Sequence, residues 1–146
     1  MHNRNHHKQG YNFKALVKAE PKLLKFIIKN KFNNQDTINF SDALAVKSLN
    51  LALLKCHYQI SFWDIPKGYL CPAIPGRVDY LHHLKDLLSQ TPKKLLAQHK
   101  NINVLDIGTG ASCIYPILGQ RLYNWQFVAS DIDPVSIKAA KKNCFS

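Results

Sequence analysis

Apolar residues recur at helical spacing over the first two thirds of the chain and then gather into short unbroken runs. Residues 12–18 and 21–29 predict two short helices, the second opened by Pro21, which suits a first helical turn. Leu23, Leu24, Phe26, Ile27 and Ile28 give that second helix its apolar face between Lys22, Lys25 and Lys29. Residues 30–39 read as a loop. Ser41 then predicts an N-cap, with Asp42 in the first turn of a helix running to about residue 57. Leu44, Leu51 and Leu54 share a face of it, which is expected to be core. Three prolines and two glycines between residues 62 and 77 predict an irregular segment, ordered because its apolar and aromatic content is too high for a linker. A helix over 78–89 follows, with Leu81, Leu84 and Leu88 inward, and residues 92–99 form a short helix or loop. Residues 103–107 and 125–129 are unbroken apolar runs of strand length. A helix over 113–123 lies between them, with Pro116 in its first turn or displacing its start. Pro134 opens the last helix.

This order, helices first and then strand–helix–strand, is that of an α/β protein with a parallel sheet. The chain has 146 residues and 46% hydrophobic content, enough for a packed core. No apolar run reaches the roughly 20 residues that span a bilayer, and the polar opening around Arg4 lacks a secretory signal pattern. A cytoplasmic location is therefore expected. Cys56, Cys71, Cys113 and Cys144 show no metal-ligand spacing and read as reduced thiols, with no metal expected.

Charge changes the picture. The net charge is +11, and residues 1–40 carry +6 of it, residues 41–100 carry +4 and residues 101–146 carry +1. A basic arm ahead of a nearly neutral module suits a polyanionic partner, most simply nucleic acid. A merely solvated lysine-rich surface is the plainer alternative. Residues 1–10 are expected to stay mobile until an anion binds them.

The chemistry concentrates in Val104-Leu105-Asp106-Ile107-Gly108-Thr109-Gly110-Ala111-Ser112-Cys113. Gly108 and Gly110 let a turn after the strand take positive φ and approach a ligand closely. About 25 residues beyond Asp106, the second strand runs into Asp131, the position from which α/β folds hold a ribose. A dinucleotide site would want a third glycine where Cys113 stands, which disfavours a nicotinamide-dependent oxidoreductase. Asp-x-Gly-x-Gly with a later acid resembles the class I S-adenosylmethionine-dependent methyltransferases, in which the first acid, here Asp106, reaches toward the methionine end of the cofactor.

More of the chain narrows the likeness. His2-Asn3-Arg4-Asn5-His6-His7, Asn39-Phe40-Ser41-Asp42, Ile74-Pro75-Gly76-Arg77-Val78-Asp79-Tyr80-Leu81-His82-His83 and the glycine turn continued through Ile114-Tyr115-Pro116 together resemble the RlmF and METTL16-like family of RNA adenine-N6 methyltransferases, whose bacterial members act on 23S rRNA. The resemblance implies a Rossmann-like fold with a helical, basic N-terminal extension. It implies an RNA-binding arm over 1–40, a helical segment over 41–100 and the first half of the cofactor domain over 101–146, its sheet cut short after the second strand. By it, Gly108, Thr109, Gly110 and Ser112 line the methionine and ribose side of S-adenosylmethionine. Asp131 takes the ribose hydroxyls, and Arg77 takes the cofactor carboxylate, for which a guanidinium fork is suited. A salt bridge from Arg77 to Asp79 or Asp86 is the structural alternative. Arg4, Lys8, Lys14 and Lys31 would hold RNA phosphates. His82 and His83 receive no catalytic role, nor do Cys71 and Cys113. A monomer is expected.

One departure matters. Members of this group carry Asn-Pro-Pro-Phe to hold the target base, and this sequence contains no such run. The chain is accordingly expected to be the N-terminal portion of an enzyme and inactive by itself. A non-catalytic RNA-binding role, salt-sensitive and without cofactor affinity, is the alternative.

Overall fold

The computed structural model describes residues 1–90 and 102–144; the expected element at 92–99 lies outside them. A short 3-10 turn at His6–Gln9 leads to α1 (Phe13–Ala19), a second 3-10 stretch (Pro21–Phe26), strands β1 (Ile27–Lys29) and β2 (Asp36–Ile38), and helices α2 (Ala43–Tyr58) and α3 (Ile74–Gln90). Then come β3 (Asn103–Ile107), α4 (Ile114–Tyr123), β4 (Gln126–Ser130) and α5 (Pro134–Cys144).

Five local expectations need correction. The second short helix is a 3-10 stretch that ends at Phe26, and Ile27–Lys29 instead pairs antiparallel with Asp36–Ile38, inside the segment read as a loop. The bend between them is closed by Asn30 N–H donating to the Gln35 carbonyl at 2.8 Å, with Asn34 at φ 55; asparagine tolerates that left-handed conformation. Asp42, not Ser41, caps α2, its carboxylate accepting from Leu44 N at 2.8 Å. Leu44, in the first turn, is 66% exposed, while Ala45, Leu49, Ala52 and Leu53 are buried. Helix α3 starts at Ile74, with Pro75 tolerated in its first turn, where no intrahelical N–H is needed.

The N-terminal arm is docked, contrary to the mobility expected of it. His2 N–H donates to Asp79 (2.5 Å) and its ring contacts Asp86 (2.8 Å). Asn5 donates to the Pro75 carbonyl (2.9 Å) and to Asp79 (3.1 Å), and His7 is buried against the Tyr58 hydroxyl (2.8 Å). Polar side chains hold the arm because each finds a partner on α2 or α3, which removes the cost of burying it. Behind it, the buried Glu20 meets Lys55 of α2 at 2.6 Å, and that ammonium, more than any other contact, holds the carboxyl below its usual range.

The core gathers Leu16, Leu23, Leu49, Leu53, Leu54, Trp63, Ile74, Val78, Leu81 and Leu118 under the helices. Strands β3 and β4 are parallel, with Asp106 opposite Ala129 and Ile107 opposite Ser130. Helix α4 crosses between them and lies close on β4: a Cβ at Gly119 would sit 2.5 Å from the Phe127 ring. On the parallel pair, Leu105, Ile107 and Val128 are exposed.

Candidate functional site

The strand ends position the site. β3 delivers Asp106 and then breaks at Gly108 (φ 76) and Gly110 (φ 67). Those angles are open to glycine and strained for other L-residues. No atom lies within 4 Å of where a Cβ would stand on either glycine, so both present bare backbone to open space. The turn is tied to the end of β4: the N–H groups of Gly108 and Thr109 both donate to the Ser130 carbonyl, at 2.8 and 2.9 Å. Gly110 N–H donates to Asp131 Oδ2 at 2.8 Å, and Asp133 N–H to Asp131 Oδ1 at 2.9 Å. The two acids of the sequence motif are thus joined through the glycine turn.

A cleft of about 310 Å³ opens here, lined by Asp106, residues 108–112 of the turn, Arg77 and Tyr115, and, from the irregular segment, Tyr69, Leu70 and Pro72. It brings together Arg77, Asp106, Gly108, Thr109, Gly110 and Ser112. Asp131 stands just behind the turn. Arg77 donates to the Tyr115 hydroxyl at 3.1 Å, with its guanidinium 5.5 Å from the centre of that ring. The alternative for Arg77 does not hold: Asp86 pairs with Arg4 and His2, and Asp79 with His83. Asp106 Oδ2 is buried and meets no hydrogen-bond donor among the described residues. A buried carboxylate oxygen left unpartnered is costly. It marks a place where a donor on a ligand is wanted.

Residues that sequence reasoning passed over hold this cleft in shape. Trp63, 2% exposed, donates its indole N–H to the Ser112 carbonyl at 2.9 Å. Asn143 of α5, also buried, donates to the carbonyls of Asp64 (2.8 Å) and Ala111 (3.0 Å) and accepts from Asp64 N–H (2.9 Å). These bonds staple the irregular segment to the glycine turn. Only the density of aromatic and proline residues over 62–77 hinted at such a role.

The cysteines are all free. Cys113 caps α4 in the left-handed region and is buried 3.1 Å from Cys144; that contact and burial push its thiol up, away from a reactive thiolate. Burial raises Cys71 too, beside Asn50. His82 is buried on the Tyr123 hydroxyl at 2.5 Å, a packing position.

The basic candidates do not converge on the cleft. Arg4 and Lys8 line a separate groove of about 580 Å³ with Asn3, His6 and Tyr123. Arg4 already donates to Asp86 (2.6 Å) and to the His82 carbonyl (3.1 Å). Lys14 and Lys31 are exposed elsewhere on the arm. No helix of the described residues is long and apolar enough to cross a membrane, and no group of three or more metal-ligating side chains forms among them.

Known proteins resemble this chain in sequence and fold. A family model described as RNA methyltransferase matches residues 1–146. "Ribosomal RNA large subunit methyltransferase F" of Colwellia psychrerythraea is 72% identical over 141 residues, covering 97% of this chain and 47% of that protein. The crystal structure of the N-terminal domain of human METTL16 in complex with SAH is 36% identical with a TM-score of 0.83, over 98% of this chain and 54% of the other. The human METTL16 catalytic domain bound to a MAT2A 3'UTR hairpin gives 37% identity and the same TM-score, over 98% and 48%. The chain spans about half the length of the curated relatives it matches.

Glycine turn, paired acids and parallel strands around a crossing helix define the Rossmann-like fold of a class I methyltransferase. Within that class, the chain belongs to the RNA methyltransferase family.

Proposed function

We propose that this chain is the cofactor half of an S-adenosylmethionine-dependent enzyme that methylates N6 of an adenine in 23S rRNA, working in the cytoplasm where that RNA resides. The observation that carries the cofactor reading is one cleft lined by Arg77, Asp106 and bare glycine backbone, with the buried Oδ2 of Asp106 meeting no donor among the described residues. A cofactor with a carboxylate, an ammonium and a ribose fits that set. Arg77 would take the carboxylate and Asp106 would accept from the ammonium. Gly108, Thr109, Gly110 and Ser112 would line the methionine and ribose side, with Asp131 on the ribose hydroxyls. When bound, the cofactor supplies an electrophilic methyl group on a sulfonium. The chain's own residues bind and orient it.

The 23S rRNA assignment rests on the similarity to the bacterial relative named above and on the charge of the first 40 residues. In this reading residues 1–40 form an RNA-binding arm, 41–100 a helical segment leading into the core and 101–146 the first half of the cofactor domain. Arg4, Lys8, Lys14 and Lys31 contribute phosphate contacts, worth more at low salt. The base-holding Asn-Pro-Pro-Phe is not among these 146 residues. Placing the amine in line with the methyl group is much of such catalysis, so the chain on its own transfers no methyl group.

Two measurements test the proposal. Deleting the gene removes one N6-methyladenosine from 23S rRNA, read by mass spectrometry of nuclease digests; an unchanged digest overturns the substrate assignment. Calorimetric titration with S-adenosylhomocysteine shows binding to the chain, and Asp131→Ala weakens it by roughly tenfold through loss of charge-assisted hydrogen bonds. A wild-type chain that binds RNA but no S-adenosylhomocysteine would favour a purely RNA-binding role.

A further inference from the structure

Two hydrogen-bonded groups line the cleft: Arg77 with Tyr115, and Tyr69 with Ser136 through Asp133, two residues beyond Asp131. We propose that the ring of Tyr69 is the surface on which the adenine of the cofactor stacks, an assignment that rests on the cofactor reading above.

Tyr69 belongs to the irregular segment between α2 and α3, yet it is held from several sides. Its hydroxyl donates to Asp133 Oδ2 at 2.7 Å. Asp133 caps α5 as well, accepting from Val135 N–H (3.1 Å), Ser136 N–H (3.0 Å) and the Ser136 hydroxyl (2.8 Å). Those donors, the tyrosine first among them, bring the Asp133 carboxyl down to about 2. The acceptor is therefore a charged carboxylate at any working pH, and the bond to Tyr69 is charge-assisted. Upstream and downstream, Trp63 is fixed to Ser112, and Asn50 donates to the Pro72 carbonyl at 2.7 Å.

The position selects the ligand group. Asp133 is two residues beyond Asp131, so the phenol is tied to the same turn that presents the ribose acid. A nucleoside whose carboxylate tail reaches Arg77 and whose ribose reaches Asp131 has its base left to place, and Tyr69 is the aromatic lining residue tied to that turn through Asp133. Ile132, between the two acids, is fully exposed, and Leu70 is 79% exposed on the cleft's rim. A flat apolar purine gains from such surfaces by stacking and burial. The polar tip of the tyrosine, already occupied by Asp133, serves to hold the ring in place.

The test uses two probes: S-adenosylhomocysteine and 5'-methylthioadenosine, which has the adenosine but neither carboxylate nor ammonium. Titration calorimetry on this chain should find that Tyr69→Ala raises the Kd of both by roughly tenfold. Tyr69→Trp, which restores a stacking face without the hydroxyl, should stay within about threefold of wild type for both. Arg77→Ala should weaken S-adenosylhomocysteine alone. A structural role in cleft shape would instead make Tyr69→Trp as weak as Tyr69→Ala, and that result overturns the stacking assignment. So does an unchanged Kd for both probes in Tyr69→Ala. A wild-type chain that binds neither probe would overturn the cofactor reading itself, a different outcome from either of these.

Discussion

Replacing Trp63 with alanine is expected to remove about 3–5 kcal/mol of folding stability, the usual cost of emptying a buried aromatic site. The indole is 2% exposed and belongs to the main core. Its neighbours are held by helix packing and by the Asn143 bonds to Asp64 and Ala111, so they cannot collapse fully into the space. A second loss accompanies the first. The Ser112 carbonyl, which accepts the indole N–H at 2.9 Å, loses that partner beside the glycine turn. Trp63→Phe separates the two contributions. It keeps most of the apolar volume but leaves the carbonyl unpaired, at about 1–3 kcal/mol. Urea denaturation checks both variants. A loss below about 1 kcal/mol for Trp63→Ala would mean that the site relaxes freely and that the segment is not stapled through this residue.

The geometry of the candidate site was legible in the sequence where it is local. The turn from Asp106 to Ser112 needs positive φ at two glycines and an acid after the next strand, and all of that is written within one strand–helix–strand unit. The strands at 103–107 and near 126–130 followed from unbroken apolar runs. The hairpin did not. Its strands are three residues long, and Ile27 and Ile28 continue a helical pattern that the 3-10 stretch breaks only at Phe26. No Gly or Asn-Gly pair marks its bend; Asn34 alone supplies the left-handed residue. Trp63 and Asn143 escaped notice for a different reason. Their partners, Ser112 and Ala111 with Asp64, are 49, 32 and 79 positions away, and no local pattern encodes such a contact. The docking of the arm is of the same kind. Asn5 and His7 read as solvated polar residues, and only the fold reveals the acceptors on α2 and α3 that let them be buried. Charge alone therefore suggested what the arm binds, and said nothing of how it is held.

That docking makes the chain acid-sensitive in a specific window. His7 is 4% exposed, with its ring on the Tyr58 hydroxyl at 2.8 Å and the His57 ring 5.3 Å away. Burial, followed by the charges of His57, His6 and His82, lowers its pKa to about 4. In the unfolded chain it titrates near 6.5. Between those values the unfolded state binds a proton that the folded state refuses, so stability is full above about pH 6.5 and falls as pH drops toward 4. From pH 7 to pH 5 the expected loss from His7 is about 2 kcal/mol. His57 and His82 are also lowered by burial and act in the same direction. The carboxylates on the same surface act elsewhere on the scale. Asp79, held down mainly by the His2 N–H, and Asp86, held down mainly by Arg4, lose their contributions only below the ordinary carboxylate range. Chemical denaturation at pH 7 and pH 5 measures the slope, and His7→Phe isolates its source. That variant is weaker at both pH values, because the Tyr58 hydroxyl loses its partner, but its drop between them should shrink by the His7 share. A drop as large as in wild type would assign the acid sensitivity to His57 and His82 and leave His7 a neutral packing residue whose proton never matters.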